Sequence, residues 1–205
     1  KNLHLLRLLM IQIQELIKLL GLGIASLIIC SITMADIKNT KDFMKAIEEV
    51  RQEYPEDSIE RKIPTGFIAT VAAAETGNFQ FKGAPTAKNA NNFFGMQASS
   101  SYIKENPDKF MTTTGGANLR TFTDSKDSIR GFLQLITSDD RYKDVRESTK
   151  NIENMFKGMS PYAERTDYPS FLANVYNDRI KPVIETENML IPKRKPIVNQ
   201  MNTLK

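Results

Sequence analysis

The apolar positions of the chain change spacing from segment to segment, and each spacing predicts an element. Phe43, Ile47 and Val50 fall at i, i+4 and i+7 behind Thr40, which predicts an amphipathic helix over 40–54, capped by Thr40 and stopped by Pro55. The next run, GFIATVAAAET, is apolar almost all round. It predicts a central buried helix, opened by Pro64-Thr65 and closed by Gly77 at C′. Residues 84–101, rich in Asn, Ala and Ser around Phe93-Phe94-Gly95, predict loop and short helix. The stretches Lys109–Thr114 and Asn118–Phe122 flank Gly115-Gly116 and predict a hairpin with a two-glycine turn. Asp124-Ser125 should cap a helix carrying Ile129, Phe132, Leu133 and Ile136. A further helix is expected over about 149–157, ending at Gly158, and a last one from Tyr168, with Pro169 near its start, to about Glu187. The tail, 189–205, has two prolines and no period. The pattern adds up to an α+β fold, mainly α: one helical domain with a small β-hairpin lobe.

The front of the chain behaves differently. Leu19 to Ile32 reads LLGLGIASLIICSI, fourteen residues without a charge, behind Lys18 and ahead of the small-x-small group Thr33-Met34-Ala35. A basic flank, a short apolar core and a small-residue exit are the marks of a secretory signal. A comfortable membrane span needs about 20 apolar residues. Residues 1–35 are therefore expected to be a signal peptide or an N-terminal anchor in the inner membrane through 19–35. The protein is expected in the periplasm or cell envelope. Ile29, where a lipidation site wants a small residue, leaves Cys30 as part of the apolar core.

Composition narrows the chemistry. With one Cys, an internal disulfide framework is excluded. The one His, His4, lies ahead of the globular body, so Ser-His-Asp triads, Cys-His dyads and His-rich zinc sites are excluded as well. Proton transfer falls to carboxylates, hydroxyls and lysines. The carboxylates lack the clustered spacing of a metal site, and no cofactor or metal is expected. The 28 basic and 24 acidic residues are unevenly spread. Residues 1–35 hold three basic and one acidic, and 189–205 hold four basic and none, which leaves 21 basic and 23 acidic for 36–188. The body has no basic stripe, so nucleic acid is not an expected partner. A monomer is the expected state.

Glu75 is the carboxylate in the most chemically interesting position. It follows Ala72-Ala73-Ala74 in the last turn of the most apolar helix. Burial and the negative end of the helix dipole would both raise its pKa, as a general acid requires. The other reading of the same position is a surface carboxylate where a helix ends.

The runs ETGNF, NNFFGMQ, LRTFTDSKDSIRGFLQLI, RYKDVRE and YAERTDY follow one another in an order that resembles the glucosaminidase-type glycoside hydrolases of family 73, most closely the Bax-like bacterial branch. Those enzymes carry E-S-G at a helix end, then N-N-L-F-G, a β lobe, an F-D-S-x-x-E-S-I-like helix start and a Y-S-E-R-G-x-x-Y-like motif. The resemblance covers about residues 63–185, within an expected catalytic unit at 63–188, with 36–62 as an N-terminal helix packed on that unit and 189–205 as a basic tail. It implies a lysozyme-like fold that hydrolyses the β-1,4 bond after N-acetylglucosamine in peptidoglycan glycan strands. It also implies that Glu75 is the general acid and that Asn92, Phe94 and Gly95 shape the groove floor. Tyr162 and Tyr168 match an aromatic pair, the first of which sits beside the acid. Tyr142 reads as packing.

Two departures bear on mechanism. The Trp that follows E-S-G in the family is Asn78 here, and the chain has no Trp. Sugar stacking is thereby left to Phe79, Phe81, Phe93 or the tyrosines. The β lobe of many relatives carries a Glu, whereas no acid lies between Asp108 and Asp124, and Asn118 stands near that place. Glu105 and Asp108 could supply a second carboxylate if the lobe folds over the groove; otherwise they are solvated loop acids. A distant carboxylate gives inversion, one about 5 Å away gives retention, and neither leaves the substrate's own 2-acetamido oxygen as nucleophile. Gly95-Met96-Gln97 also has some likeness to the G-x-M-Q stretch of lytic transglycosylases, which adds Gln97 to the binding candidates and keeps that class as an alternative. A non-catalytic wall-binding protein is the other.

Overall fold

The computed structural model describes residues 39–81 and 85–190. The expected leader, 1–35, and residues 191–205 of the expected tail lie outside the described residues. Helix α1 (Thr40–Arg51) turns Phe43, Ala46, Ile47 and Val50 inward along one stripe. Its cap is Asn39 rather than Thr40: the Asn39 side-chain oxygen accepts from the Asp42 N–H at 3.1 Å. Asn and Thr both serve as caps, so composition alone does not separate two adjacent candidates. The helix ends before Pro55, and a four-residue helix, α2 (Ile59–Lys62), follows behind a Ser58 cap. Four residues are too few to show a helical period, and the sequence pattern does not reveal it.

Helix α3 (Thr65–Thr76) is the centre of the molecule. Every residue from Thr65 to Ala73 is buried, because α1, α8, α9 and the helical turn after α9 pack around it. Gly77 ends it in the left-handed conformation, φ +59°, with its N–H on Ala73 O. Asn78 and Phe79 continue in that conformation at φ +62° and +65°. Such backbone costs non-glycine residues roughly 1–2 kcal/mol each. Offsetting contacts are present: the Phe79 N–H donates to Thr76 Oγ1 at 2.8 Å, and its ring lies 5.0 Å from that of Phe43.

Short helices α4 (Pro85–Asn89) and α5 (Ser100–Glu105) flank the Asn92–Gln97 segment. The hairpin pairs β1 (Phe110–Thr112) with β2 (Asn118–Arg120), Phe110 opposite Arg120 and Thr112 opposite Asn118. Its connection is longer than the expected two-glycine turn. Thr113 N–H bonds Ala117 O and Gly116 N–H bonds Thr113 O, so five residues close the loop and Gly116 alone takes a positive φ. The 96–98 segment runs along the other edge of β2, where Arg120 N–H bonds Met96 O and Ala98 N–H bonds Asn118 O.

Helix α6 (Ser125–Ser138), capped by Asp124, presents Ile129, Phe132, Leu133 and Ile136 to the core. A 3-10 turn (Asp140–Tyr142) and α7 (Lys143–Glu147) lead to α8 (Ile152–Gly158). The last helix is not one regular piece. It comprises α9 (Tyr168–Val175), a π turn (Tyr176–Ile180) and α10 (Lys181–Leu190). It therefore runs past Glu187, and residues 189 and 190 belong to it rather than to a tail. The core is ring-rich: Phe94 stacks on Phe132 at 4.1 Å, and Phe67 packs between Phe132 and Phe156. On the surface, α1 and α6 are bridged by Glu49–Lys126 and Glu53–Arg130 at 2.7 Å.

Phe43 is fully buried against Phe79, Phe93 and Phe94. Phe43→Ala should lower the free energy of unfolding in urea by about 3–5 kcal/mol. Glu53→Gln, which breaks an exposed ion pair, should cost less than about 1 kcal/mol in the same titration.

Candidate active site

The buried axis of α3 delivers Glu75 to the centre of a small polar cluster. One carboxylate oxygen, Oε1, accepts from the Tyr168 hydroxyl at 2.6 Å, across 93 residues of chain. The other, Oε2, faces Gly95, where a Cβ would approach it to 2.9 Å. Gly95 has φ +63°, so the backbone conformation favours glycine as well as the close approach. Burial raises the Glu75 pKa above the ordinary carboxylate value. The Tyr168 hydrogen bond and the positive charge of Arg165 pull the other way without cancelling it. Arg165 is itself anchored by a two-pronged pair to Asp167 at 2.7 Å and lies over the Phe171 ring.

Of the two tyrosines of YAERTDY, the second, and not the first as expected, makes the direct hydrogen bond to the acid. Tyr168, at the start of α9, holds the carboxyl, whereas the Tyr162 hydroxyl donates to Phe94 O. Their rings stack at 6.0 Å and 13°. A six-residue spacing identifies the pair but not which hydroxyl points at the acid. Burial raises the pKa of both phenols, and the Glu75 charge adds to it, so both remain donors.

Asn92 and Phe94 are 1% and 0% exposed. Their side chains lie beneath the surface instead of forming a groove floor. Asn92 works as a clamp: its Nδ2 donates to Met96 O at 2.8 Å and Arg120 O at 3.0 Å, and its Oδ1 accepts from Met96 N–H at 2.9 Å. Phe94 anchors the same segment through its stack on Phe132. Together they fix Gly95 against Glu75. The phenylalanines considered for sugar stacking are also inside: Phe81 and Phe93 are buried, and Phe79 packs on Phe43. Runs of Phe in a polar loop read alike whether they face solvent or core.

Gly95, the exposed Gln97 and Tyr162 line a cavity of about 670 Å3, together with Arg120, Asp139 and Tyr142. Gly95 therefore touches both the Glu75 carboxyl and this space. Glu105 and Asp108 are exposed, at the end of α5 and in the turn before β1. Glu105 lines a different cavity, with Tyr102, Lys109, Phe122 and Arg130. Neither is among the groups that shift Glu75. Sequence reasoning missed Arg120 and the Asp139–Arg141 pair on the cavity wall, and also Arg165 beside the acid. Arg120 and Arg165 stood inside the conspicuous runs LRTFT and YAERTDY, where the acids and aromatics drew the chemistry. Among the described residues no three His, Cys, Asp or Glu side chains are grouped to hold a metal ion.

A carboxyl group with a raised pKa at the end of the central helix, beside a two-stranded lobe, fits a lysozyme-like glycoside hydrolase domain. The same architecture occurs in the glycoside hydrolase domain of FlgJ from Salmonella typhimurium, 22% identical, with a TM-score of 0.53 over 74% of this chain and 94% of that one. It occurs again in a peptidoglycan hydrolase from Sphingomonas sp. A1, 18% identical, with a TM-score of 0.52 over 80% of this chain and 97% of that one. No curated protein sequence matches the chain. Residues 51–186 match the glucosaminidase family, described as mannosyl-glycoprotein endo-beta-N-acetylglucosaminidase, and the chain belongs to that family.

Two substitutions separate clamp from acid. Asn92→Ala should cost about 2–3 kcal/mol in urea unfolding, since three buried hydrogen bonds lose their partner. Tyr168→Phe removes the donor that favours the ionised form, so the Glu75 pKa should rise further, as read by 13C NMR titration of its carboxyl. A fall would show that the hydroxyl does not act on the charged form.

Proposed function

We propose that this protein is a peptidoglycan hydrolase that cuts the β-1,4 bond following N-acetylglucosamine, with Glu75 as general acid. The observation that carries the reading is the Glu75 carboxyl, its pKa raised by burial, hydrogen-bonded to Tyr168 and set against Gly95, a residue of the cavity wall. Glu75 gives its proton to the departing glycosidic oxygen as the bond to the anomeric carbon breaks. No carboxylate is among the groups that act on Glu75, and the hairpin contains no acid. Both points favour the carbonyl oxygen of the substrate's 2-acetamido group as nucleophile. It closes a ring on the anomeric carbon, which water then opens. Tyr168 orients the acid, and Gly95, which has no side chain, lets the cavity wall come up close to it. A glycan of the cell wall places the enzyme in the periplasm or envelope, in keeping with the expected leader. Among the described residues no helix is long and apolar enough to cross a membrane.

The test is a digest of purified peptidoglycan with the full chain, followed by borohydride reduction and mass spectrometry. N-acetylglucosaminitol ends are expected. Anhydromuramic ends would replace hydrolysis by a transglycosylase reaction, and no release by folded protein would sink the enzyme reading. Glu75→Gln should abolish release, whereas Glu105→Gln and Asp108→Asn should each cost far less.

Because the acid works protonated, kcat/KM should fall as the pH rises through the elevated Glu75 pKa. The same elevation means that ionised Glu75 costs the fold stability at neutral pH. Glu75→Gln should therefore raise Tm by about 2–4 °C per kcal/mol relieved at pH 7. The gain should vanish below the unfolded carboxylate pKa, where Glu75 is protonated in both states.

A further inference from the structure

The hairpin of this chain offers a cation where an acid was sought. Arg120, the last residue of β2, is half-buried, and its backbone is held on both sides, by Met96 O on its N–H and by the Asn92 amide on its carbonyl. The side chain is equally fixed. Its Nε donates to Gln97 O at 3.2 Å, and the guanidinium lies 4.3 Å over the Tyr102 ring. Among the described residues, the terminal nitrogens of the guanidinium have no acceptor and Arg120 has no carboxylate partner. The nearby acid Asp139 is committed to Arg141, both of its oxygens taken. Glu164 is exposed at the rim of the cavity. Arg120 also lines the second cavity, of about 860 Å3, so it stands at the junction of the two spaces.

A stacked, half-buried guanidinium with free donors is a ready fork for a carboxylate. The cavity it lines opens at Gly95, beside the Glu75 carboxyl. Resting on the peptidoglycan reading above, we propose that Arg120 is a specificity residue that binds a carboxylate of the lactyl-peptide substituent on the glycan and so selects carboxylated strands over neutral ones. The carboxylate is that of the lactyl group itself or one borne by the stem peptide.

The experiment compares four substrates on the full chain: intact peptidoglycan strands, strands stripped of peptide by an amidase, and each of these with its carboxylates converted to methylamides. Wild-type protein should lose about tenfold in kcat/KM on the blocked form, through KM, the size of one charge-assisted hydrogen bond. A loss confined to the stripped strands assigns the lactyl carboxylate, and one confined to intact strands assigns the stem peptide. In R120Q the ratio of carboxylated to blocked should fall to about one, and R120K should restore only part of it. A wild-type ratio of one on both pairs, or an unchanged ratio in R120Q, overturns the proposal. Because the blocked substrates test the unaltered protein, the outcome does not depend on R120Q folding. Calorimetric binding of the same strands to E75Q separates this proposal from the hydrolase reading. If wild-type protein cuts no strand but binding still depends on carboxylate and on Arg120, the hydrolase reading falls and this one stands.

Discussion

A carboxyl group in the last turn of a largely buried helix has to be either neutral or supplied with donors, and this protein does some of each. Helix α3 is apolar enough to be enclosed by its neighbours, and enclosure is what lifts the Glu75 pKa. Without the Tyr168 hydroxyl the carboxyl would have no protein hydrogen bond among those described; a full ionic partner would favour the ionised form. The single phenol is a compromise between these limits. It also ties the first half of the domain to the last, since Tyr168 opens the helix that covers α3 from the far side.

The second organising element is the Asn92 clamp. Three hydrogen bonds from one amide bring the Asn92–Met96 loop and β2 to a fixed spacing. Such a link carries two consequences at once: Gly95 is pressed toward Glu75, and Arg120 is held at the mouth of the cavity. A hairpin with three-residue strands has little stability of its own, so the loop that braces it is what gives the lobe a defined position. Glu75 and Arg120 thereby share one mechanical support.

Much of this was legible from residue order. The α1 stripe, the buried α3, its Gly77 stop and the amphipathic α6 follow from periodicity and caps, because each depends on residues near in sequence. Glu75 was legible for the same reason, as an acid in an apolar helix. What sequence could not resolve depends on orientation between distant segments. Which of Tyr162 and Tyr168 reaches the acid is settled by the rotation of α9, and that rotation is set by packing on α3. Asn92 and Phe94 sit in a motif that marks the site, yet they serve it from below. The π turn at Tyr176–Ile180 has no local signature in the residue order.

The tyrosine cluster has an optical consequence. The chain has six tyrosines and no tryptophan, so its near-ultraviolet emission comes from phenols alone. Tyr142, Tyr162 and Tyr168 lie in a chain of ring contacts that ends at the acid, close enough to pass excitation among themselves. Tyr168 is bonded to a carboxyl whose protonation state governs how readily an excited phenol gives up its proton and goes dark. Half of the chromophores in the molecule therefore report on one carboxyl group, and the protein carries its own unlabelled probe of whether that group holds its proton.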